Sequence, residues 1–385
     1  MDEQVKRFEK YVKNNNLAIE KYNLNNFKFA ECLDVTSLEV KGCFNVNLTI
    51  PPLNITRLLM VKSKFDLEGI QNMTQLTELY LPCNFLKNIS QLQYLVNLKI
   101  LGLNNNNLRD IRPLGKLKQL ETLNIAENKI QNINTLFNLV NLHNIELDKN
   151  AVKDNTCFKA LNNVTELRMI NCQQNNIQSV RYLVNLQILH ICRNNIDKIT
   201  PLSQLHFLRE LYISRCNLDN DISALSCLTQ LYRIDMDYNR ICDITPIRYL
   251  VNLEMLCMSN NHITDISILR NLVNLEFVNM SVNYVQDLLP IENLARRDSF
   301  VIGLQMQPTP EIINCYLNVR TIFLSKEMNK LAVDKHKSLN KNIIQWRINI
   351  DKITLNCLDV SNVNLIKIIQ LFQQINNIDD EKVYQ

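Results

Sequence analysis

At 385 residues, 46% of them hydrophobic and 21% charged, the chain is long enough for a large core or an extended solenoid. Its net charge of +4 is small and mixed in sign, which argues against a nucleic-acid binder. No run of about 18 apolar residues offers a membrane span, so no membrane partner is expected.

The first residues, MDEQVKRFEKYVKNNN, are charged throughout and lack the apolar stretch of a signal peptide, so a cytoplasmic chain is expected, with the nucleus as the alternative. Twelve cysteines without a CxxC pair fit reduced thiols better than a disulfide framework. Sequons such as Asn54-Ile55-Thr56 and Asn163-Val164-Thr165 then carry no glycan.

Residues 1–34 read as an N-terminal helical cap. Val5, Phe8 and Val12 lie about one helical turn apart, and Asn14-Asn15-Asn16 ends the helix. Residues 35–307 read as a solenoid. Worn units come first: Val35, Leu38, Val40 and Cys43, then Ile55, Leu58, Met60, Ser63, Phe65, Leu67, Ile70 and Met73. Terminal units of an array are atypical because one side faces solvent.

Ten clear repeats follow, starting at Leu76, Leu98, Leu120, Leu142, Val164, Leu186, Leu208, Leu231, Leu253 and Leu275. The step is 22 residues except after Leu208, where Asn220-Asp221 adds one. Phe300 and Ile302 mark a truncated unit at 297. The x-Leu-x-Leu-x segment alternates with period two and predicts a strand with Leu inward. One such strand cannot bury its face alone, so the strands stack as a parallel sheet. Later positions step by three, as in Ile111, Leu114 and Leu117, which predicts a 3₁₀ or short helical return. Pro113, Pro201, Pro246 and Pro290 share the start of that return, where a missing N–H is harmless.

An asparagine slot recurs at Asn84, Asn106, Asn128, Asn150, Asn194, Asn239, Asn261 and Asn283. An amide both donates and accepts, so it can satisfy backbone groups of turns in adjacent units. Cys172 and Cys216 take the slot in two units, and Gln174 stands where Leu or Ile is usual.

The pattern LxxLxLxxNxLxxIxxLxxLxx over roughly Ile55–Leu304 resembles the 22-residue class of leucine-rich repeats. That class includes the repeat regulatory subunit of type-1 protein phosphatase and the bacterial internalins. The resemblance implies an α/β solenoid: a horseshoe with a concave parallel β-sheet that binds protein, and a 3₁₀ or short-helix convex side. In the phosphatase regulator the concave surface presents acidic and aromatic residues. Glu146, Tyr212 and Asp235 match that style, while Arg168 and His190 interrupt it.

Residues 308–385 leave the repeat and read as a mostly helical cap or small module. Ile312 to Phe323 could line one helix, and Ser361 could cap a second that buries Leu365, Ile368, Ile369 and Phe372.

The sequence holds no Walker loop, GxGxxG, HExxH, kinase or hydrolase motif, and no catalytic residue is assigned. His190 and Cys192 on one strand could offer two metal ligands, but nothing nearby completes a tetrahedral set, so neither metal nor cofactor is expected. Acidic groups outnumber basic ones at the outward positions, which disfavours nucleic acid there. Aromatic and Arg residues dominate binding hot spots. They gather at Arg168, His190, Arg193, Tyr212, Arg215, Tyr232, Arg233 and Tyr238, after acidic Glu121, Glu127, Glu146 and Asp148. The expectation is a monomeric, non-enzymatic scaffold that binds a protein partner there. Tyr212 and Tyr238 would anchor the partner, and Arg168 and Arg215 would pair with its carboxylates. A type-1-like phosphatase regulator and a surface adhesion or receptor protein are the alternatives.

Overall fold

The computed structural model describes residues 8–21, 33, 35–43, 46, 48, 54–63, 65–287 and 289–291, and the strand backbones at 300–301, 323–324, 345–349 and 352–356. The chain divides into two compact units: Met1–Ile196 with Gln204–Leu208, and Asp197–Ser203 with Arg209–Gln385.

In the first unit, the alternating segments form β1 (Val12–Lys13), β2 (Asn16–Glu20), β3 (Ser37–Lys41), β4 (Arg57–Val61), β5 (Glu78–Tyr80), β6 (Ile100–Gly102), β7 (Thr122–Asn124), β8 (Asn144–Glu146), β9 (Glu166–Arg168) and β10 (Ile188–His190). From β2 onward the strands are parallel, and equivalent residues stand opposite one another, as in Ile100↔Thr122, Leu101↔Leu123 and Gly102↔Asn124. The constant period follows from this pairing, because a slip of one residue would turn every Leu to solvent. The repeat at Leu120 has all seven aliphatic positions interior: Leu120, Leu123, Ile125, Ile130, Ile133, Leu136 and Leu139 are each 0% exposed. Each such side chain contributes about 1.5–3 kcal/mol, most of it offset by ordering entropy. The returns are 3₁₀ helices, as at Arg112–Lys116, where Pro113 occupies the first turn.

The second unit repeats this plan in β11 (Glu210–Tyr212), β12 (Arg233–Asp235), β13 (Met255–Cys257), β14 (Phe277–Asn279) and β15 (Phe300–Val301), all parallel. Phe300 pairs with Val278. The inserted residue does not disturb the register, since Leu211 still faces Ile234. The loop absorbs it: the Asn220 carbonyl accepts from Ile222 N (2.9 Å), and its side-chain Oδ1 accepts from Cys242 N (2.8 Å).

The helical cap over 1–34 needs correction. Residues 8–9 are helical, but Val12 opens β1. Asn14 and Asn15 have φ of 49° and 58°, and with Lys13 facing Asn16 they make a two-residue hairpin turn in place of a helix end. Strand β2 then buries Leu17 and Ile19 opposite Leu38 and Val40, so the solenoid sheet begins at residue 16 and not at 35. In 308–385 the described residues are strands: β16 (Phe323–Leu324), β17 (Gln345–Asn349) and β18 (Lys352–Asn356), in antiparallel order β16-β18-β17. Phe323 is therefore extended where a helix was expected. The rest of the two expected helices lies outside the described residues.

The asparagine slot does what its chemistry predicts. Asn106 Nδ2 donates to the carbonyls of Leu81 (2.8 Å) and Leu103 (2.9 Å), while its Oδ1 accepts from the N–H of Asn84 (3.1 Å) and Leu86 (2.9 Å). Asn128 repeats this toward Leu103, Ile125 and Leu108. Cys172 keeps part of this pattern, with Sγ donating to the carbonyls of Leu147 (3.1 Å) and Ile170 (3.8 Å).

Two further polar ladders run alongside and were not foreseen. Asn54, Asn97, Asn141, Asn163 and Asn185 in the first unit, and Asn252 and Asn274 in the second, each precede a unit's first aliphatic residue. Each donates through Nδ2, at 2.8–3.0 Å, to a carbonyl in the unit before. Both sequon asparagines named above belong to this ladder. Before the 3₁₀ helices, Asn88, Asp110, Asn132, Asp154, Asn176, Asp243 and Asp265 accept from the N–H two residues on, closing Asx turns.

The residue just before the slot is left-handed in unit after unit: Asn105, Glu127, Lys149, Asn171, Arg193, Arg215, Tyr238, Asn260 and Val282 have φ between 54° and 58°. Asn tolerates this region, whereas a β-branched residue is strained there. Val282→Asn should therefore raise stability by about 1 kcal/mol, read by chemical denaturation; a lower midpoint would contradict the strain. Asn128→Leu should cost about 1–3 kcal/mol through unpaired turn groups, against near neutrality for the outward Asn104→Leu. Equal shifts in Tm would contradict the ladder.

Candidate partner-binding face

Every three-residue strand of the repeats from β7 to β14 shows one buried side chain flanked by two part-exposed ones. The outer face of the sheet is thus a grid of side chains whose identity the core leaves open. The sequence-predicted residues fall on it in two groups, one in each unit.

In the first unit, Asp148 gathers its neighbours. Its Oδ1 accepts from Ile170 N (2.7 Å) and its Oδ2 from Arg168 Nη2 (3.2 Å). The Arg168 and Asp148 side chains are 29% and 16% exposed, so this pair is better shielded than an ordinary surface bridge. Arg168, expected to reach a partner's carboxylate, is already held by one of the protein's own. Glu146 accepts from Asn124 Nδ2, and burial together with Asp148 and Glu166 raises its pKa against the opposing pull of Arg168. Glu127 pairs with Lys149 on the flanking turn. His190 is half-buried on β10, and Arg193 is exposed on the turn after it, left-handed at φ 58°.

In the second unit, Glu210 is the hub. Its carboxylate accepts from the hydroxyls of both Tyr212 (2.5 Å) and Tyr232. Burial first, then the bond to Glu210, raises the Tyr212 phenol; for Tyr232 the bond to Glu210 comes first. The Arg233 guanidinium lies 5.2 Å from the Tyr212 ring centroid, and that of Arg215 lies 4.0 Å from the ring of Tyr238. Tyr238 remains 47% exposed. Behind them Asp237 accepts from Ser259 N (2.6 Å), and burial together with Asp235 pushes its pKa up to about 6. Burial and these two carboxylates push the Cys257 thiol up to about 12, which leaves it protonated and unreactive.

The structure therefore joins Tyr212, Tyr232 and Arg233 into one network, and Arg215 with Tyr238 into a stacked pair. Sequence reasoning overlooked Glu210 as their organiser. The available signal was its position: Glu210 lies two residues before Tyr212 on one strand face and 22 before Tyr232. Among the described residues no group of three or more His, Cys, Asp or Glu is placed to hold a metal, and no helix is long and apolar enough to cross a membrane.

The family model for Leucine Rich repeats (2 copies) matches residues 96–138 and 251–294. No curated protein matches the chain. Among solved structures, the chain is similar to an internalin (inlF) from Listeria monocytogenes, at 26% identity and a TM-score of 0.70, over 77% of this chain and 88% of that one. It is also similar to the functional domain of InlJ from the same organism, at 17% identity and a TM-score of 0.61, over 90% and 76% of the two chains. A third likeness is to the Leptospira interrogans LRR protein LIC12759, at 19% identity and a TM-score of 0.50, over 82% and 98%. The last two bear on the fold alone. With the period, the parallel register and the asparagine ladder, these likenesses identify the fold as a leucine-rich repeat solenoid.

Proposed function

We propose that the chain is a non-enzymatic scaffold that binds a protein partner on the outer face of its sheet, with the tyrosine–arginine group of the second unit as the principal contact. The observation that carries this reading is the clamp of Tyr212 and Tyr232 on Glu210. Aromatic side chains held in place before binding lose little entropy on contact, and they supply large, amphipathic area. Arg215 on Tyr238 adds a second ordered aromatic of the kind found at hot spots.

The charge on this face favours a partner with basic groups. Arg233 and Arg215 are engaged with tyrosine rings, and Glu210 with two hydroxyls. Asp235 and Asp237 lie close enough to raise the pKa of Asp237. A cationic side chain of the partner would relieve the repulsion between these neighbouring carboxyl groups.

A reducing compartment remains part of the proposal, supported by the interior placement of Cys43, Cys157, Cys172 and Cys216 as single thiols. A type-1-like phosphatase is one candidate partner, tested by its co-purification. The likeness to an internalin at 26% identity favours a second reading, a surface adhesion module; recovery of the chain from the cell exterior would select it.

Two measurements test the site. Once a pull-down with mass spectrometry has returned a partner, Tyr212→Ala/Tyr238→Ala should weaken its affinity by about 2 kcal/mol or more, with circular dichroism showing a folded variant. Unchanged binding would move the interface elsewhere. The raised pKa of Asp237 also has a stability consequence. The folded state holds this proton more tightly than the unfolded chain, so the stabilising contribution is present below about pH 4 and is lost as pH rises through about 6. Asp237→Asn keeps an acceptor oxygen for Ser259 N–H and removes the charge. It should be more stable than the parent at pH 7.5 by up to about 3 kcal/mol, with the difference vanishing near pH 4. A constant difference across that range would exclude the linkage.

A further inference from the structure

In the first unit, away from the outer face of the sheet, a cavity of about 570 Å³ opens between the loops that follow the strands and the 3₁₀ helices Thr156–Ala160 and Gln178–Tyr182. That volume lies within the range of small-molecule sites. It sits where the repeat breaks its own rule. Asn155 takes the position that Ile111 and Ile133 hold in earlier units, and Gln174 takes that of Leu108 and Ile130. Both amides line the cavity and are more than nine-tenths buried, at 8% and 4% exposure. They bind one another, Asn155 Nδ2 donating to Gln174 Oε1 at 2.9 Å, and Gln174 Nε2 donates to Val152 O. The period alone does not account for two polar side chains placed side by side in aliphatic slots.

The wall adds charge. Lys153, Lys159 and Arg181 line the cavity, with Asp154 as the single acidic side chain. The Asp154 carboxylate is already occupied by the N–H and hydroxyl of Thr156, at 2.8 and 3.0 Å. Lys159 and Arg181 both stand against the ring of Tyr182, at 5.6 and 5.0 Å from its centroid, and Arg181 donates to the Tyr182 hydroxyl at 3.1 Å. Two cations thus stand against one ring beside a lining rich in amides. Amides donate and accept, which suits hydroxyl groups. Ordered guanidinium and ammonium groups suit an anion.

We propose that this cavity binds a small phosphorylated polyol, with Lys159 and Arg181 on the phosphate and the buried Asn155–Gln174 pair behind an amide lining that reads the hydroxyls. The site is separate from the partner-binding face, and either can fail without the other.

Isothermal titration calorimetry of the full chain tests it with glucose 6-phosphate, ribose 5-phosphate and glycerol 3-phosphate as probes, and glucose and inorganic phosphate as the two halves. At least one sugar or polyol phosphate should bind more tightly than either half. Lys159→Ala/Arg181→Ala should weaken it by about tenfold or more. Asn155→Ile/Gln174→Leu restores the residue types of the repeat, so it should also lose binding while its Tm stays equal to or rises above that of the parent. No binding of any phosphorylated probe at millimolar concentration would overturn the proposal. Binding that both double variants leave intact would overturn it too, as would a fall in Tm on restoring the aliphatic pair, which would make the amides purely structural.

Discussion

Each turn of a repeat that buries its core side chains also brings backbone N–H and C=O groups out of water, and leaving one unpaired costs about 1–3 kcal/mol. The rest of the structure depends on meeting that constraint once every 22 residues. A single Asn106 side chain meets four backbone groups, two carbonyls and two amides, in its own unit and the one before. The solution is modular. Because the same side chain links unit to unit, adding a repeat adds its own satisfaction. The second ladder, from Asn54 to Asn274, does the same at the turn that enters the strand. The Asx turns do it where the 3₁₀ helix begins. The regular recurrence of asparagine in both ladders follows from this pairing.

The slot also shapes the outer face. To aim the asparagine inward, the residue before it adopts a left-handed backbone, which costs a non-glycine residue about 1–2 kcal/mol. Asn105, Asn171 and Asn260 hold that position at the lowest penalty. Glu127, Arg193, Arg215 and Tyr238 hold it too, and all four belong to the candidate interface. Strain of this kind persists where surrounding structure over-determines it and clusters at ligand-binding sites. Lys149 and Val282, outside that set, hold the position as well, so the left-handed backbone belongs to the repeat as a whole.

The fold was largely legible because inward aliphatic positions obey one rule from unit to unit. Leu101 and Leu123 have the same partners in the same register, so their spacing alone implies the sheet. The N-terminal strand was missed because Val5, Phe8 and Val12 fit a helical spacing. The decisive signal was Leu17-x-Ile19, 21 residues ahead of Leu38-x-Val40, together with an Asn-Asn pair able to take two positive φ angles. The second ladder was hidden in plain composition, in the Asn that stands before Leu98, Leu142 and Leu253. The candidate site was legible only as a set of addresses. Which outward residue meets which depends on rotamers and on neighbours a whole repeat away, and no period constrains these. Sequence alone could place Arg168 and Asp148 on the sheet, but not show that they neutralise each other.

Internal pairing decides what such a surface has left to offer. Arg168 and Asp148 hold one another, as do Lys99 and Glu121 at 3.1 Å, and these positions present a partner with little net charge. Around Glu210 the outcome differs. Its carboxylate is taken up by two phenols, which order the rings. Asp235 and Asp237 are not neutralised in the same way: Asp237 reaches a raised pKa despite bonds from Ser259 and the nearby Arg215. The outer face keeps two close carboxyl groups beside ordered aromatic area in the second unit, around β11 and β12. That combination, rather than the number of charged residues on the sheet, is the physical basis for proposing a partner there.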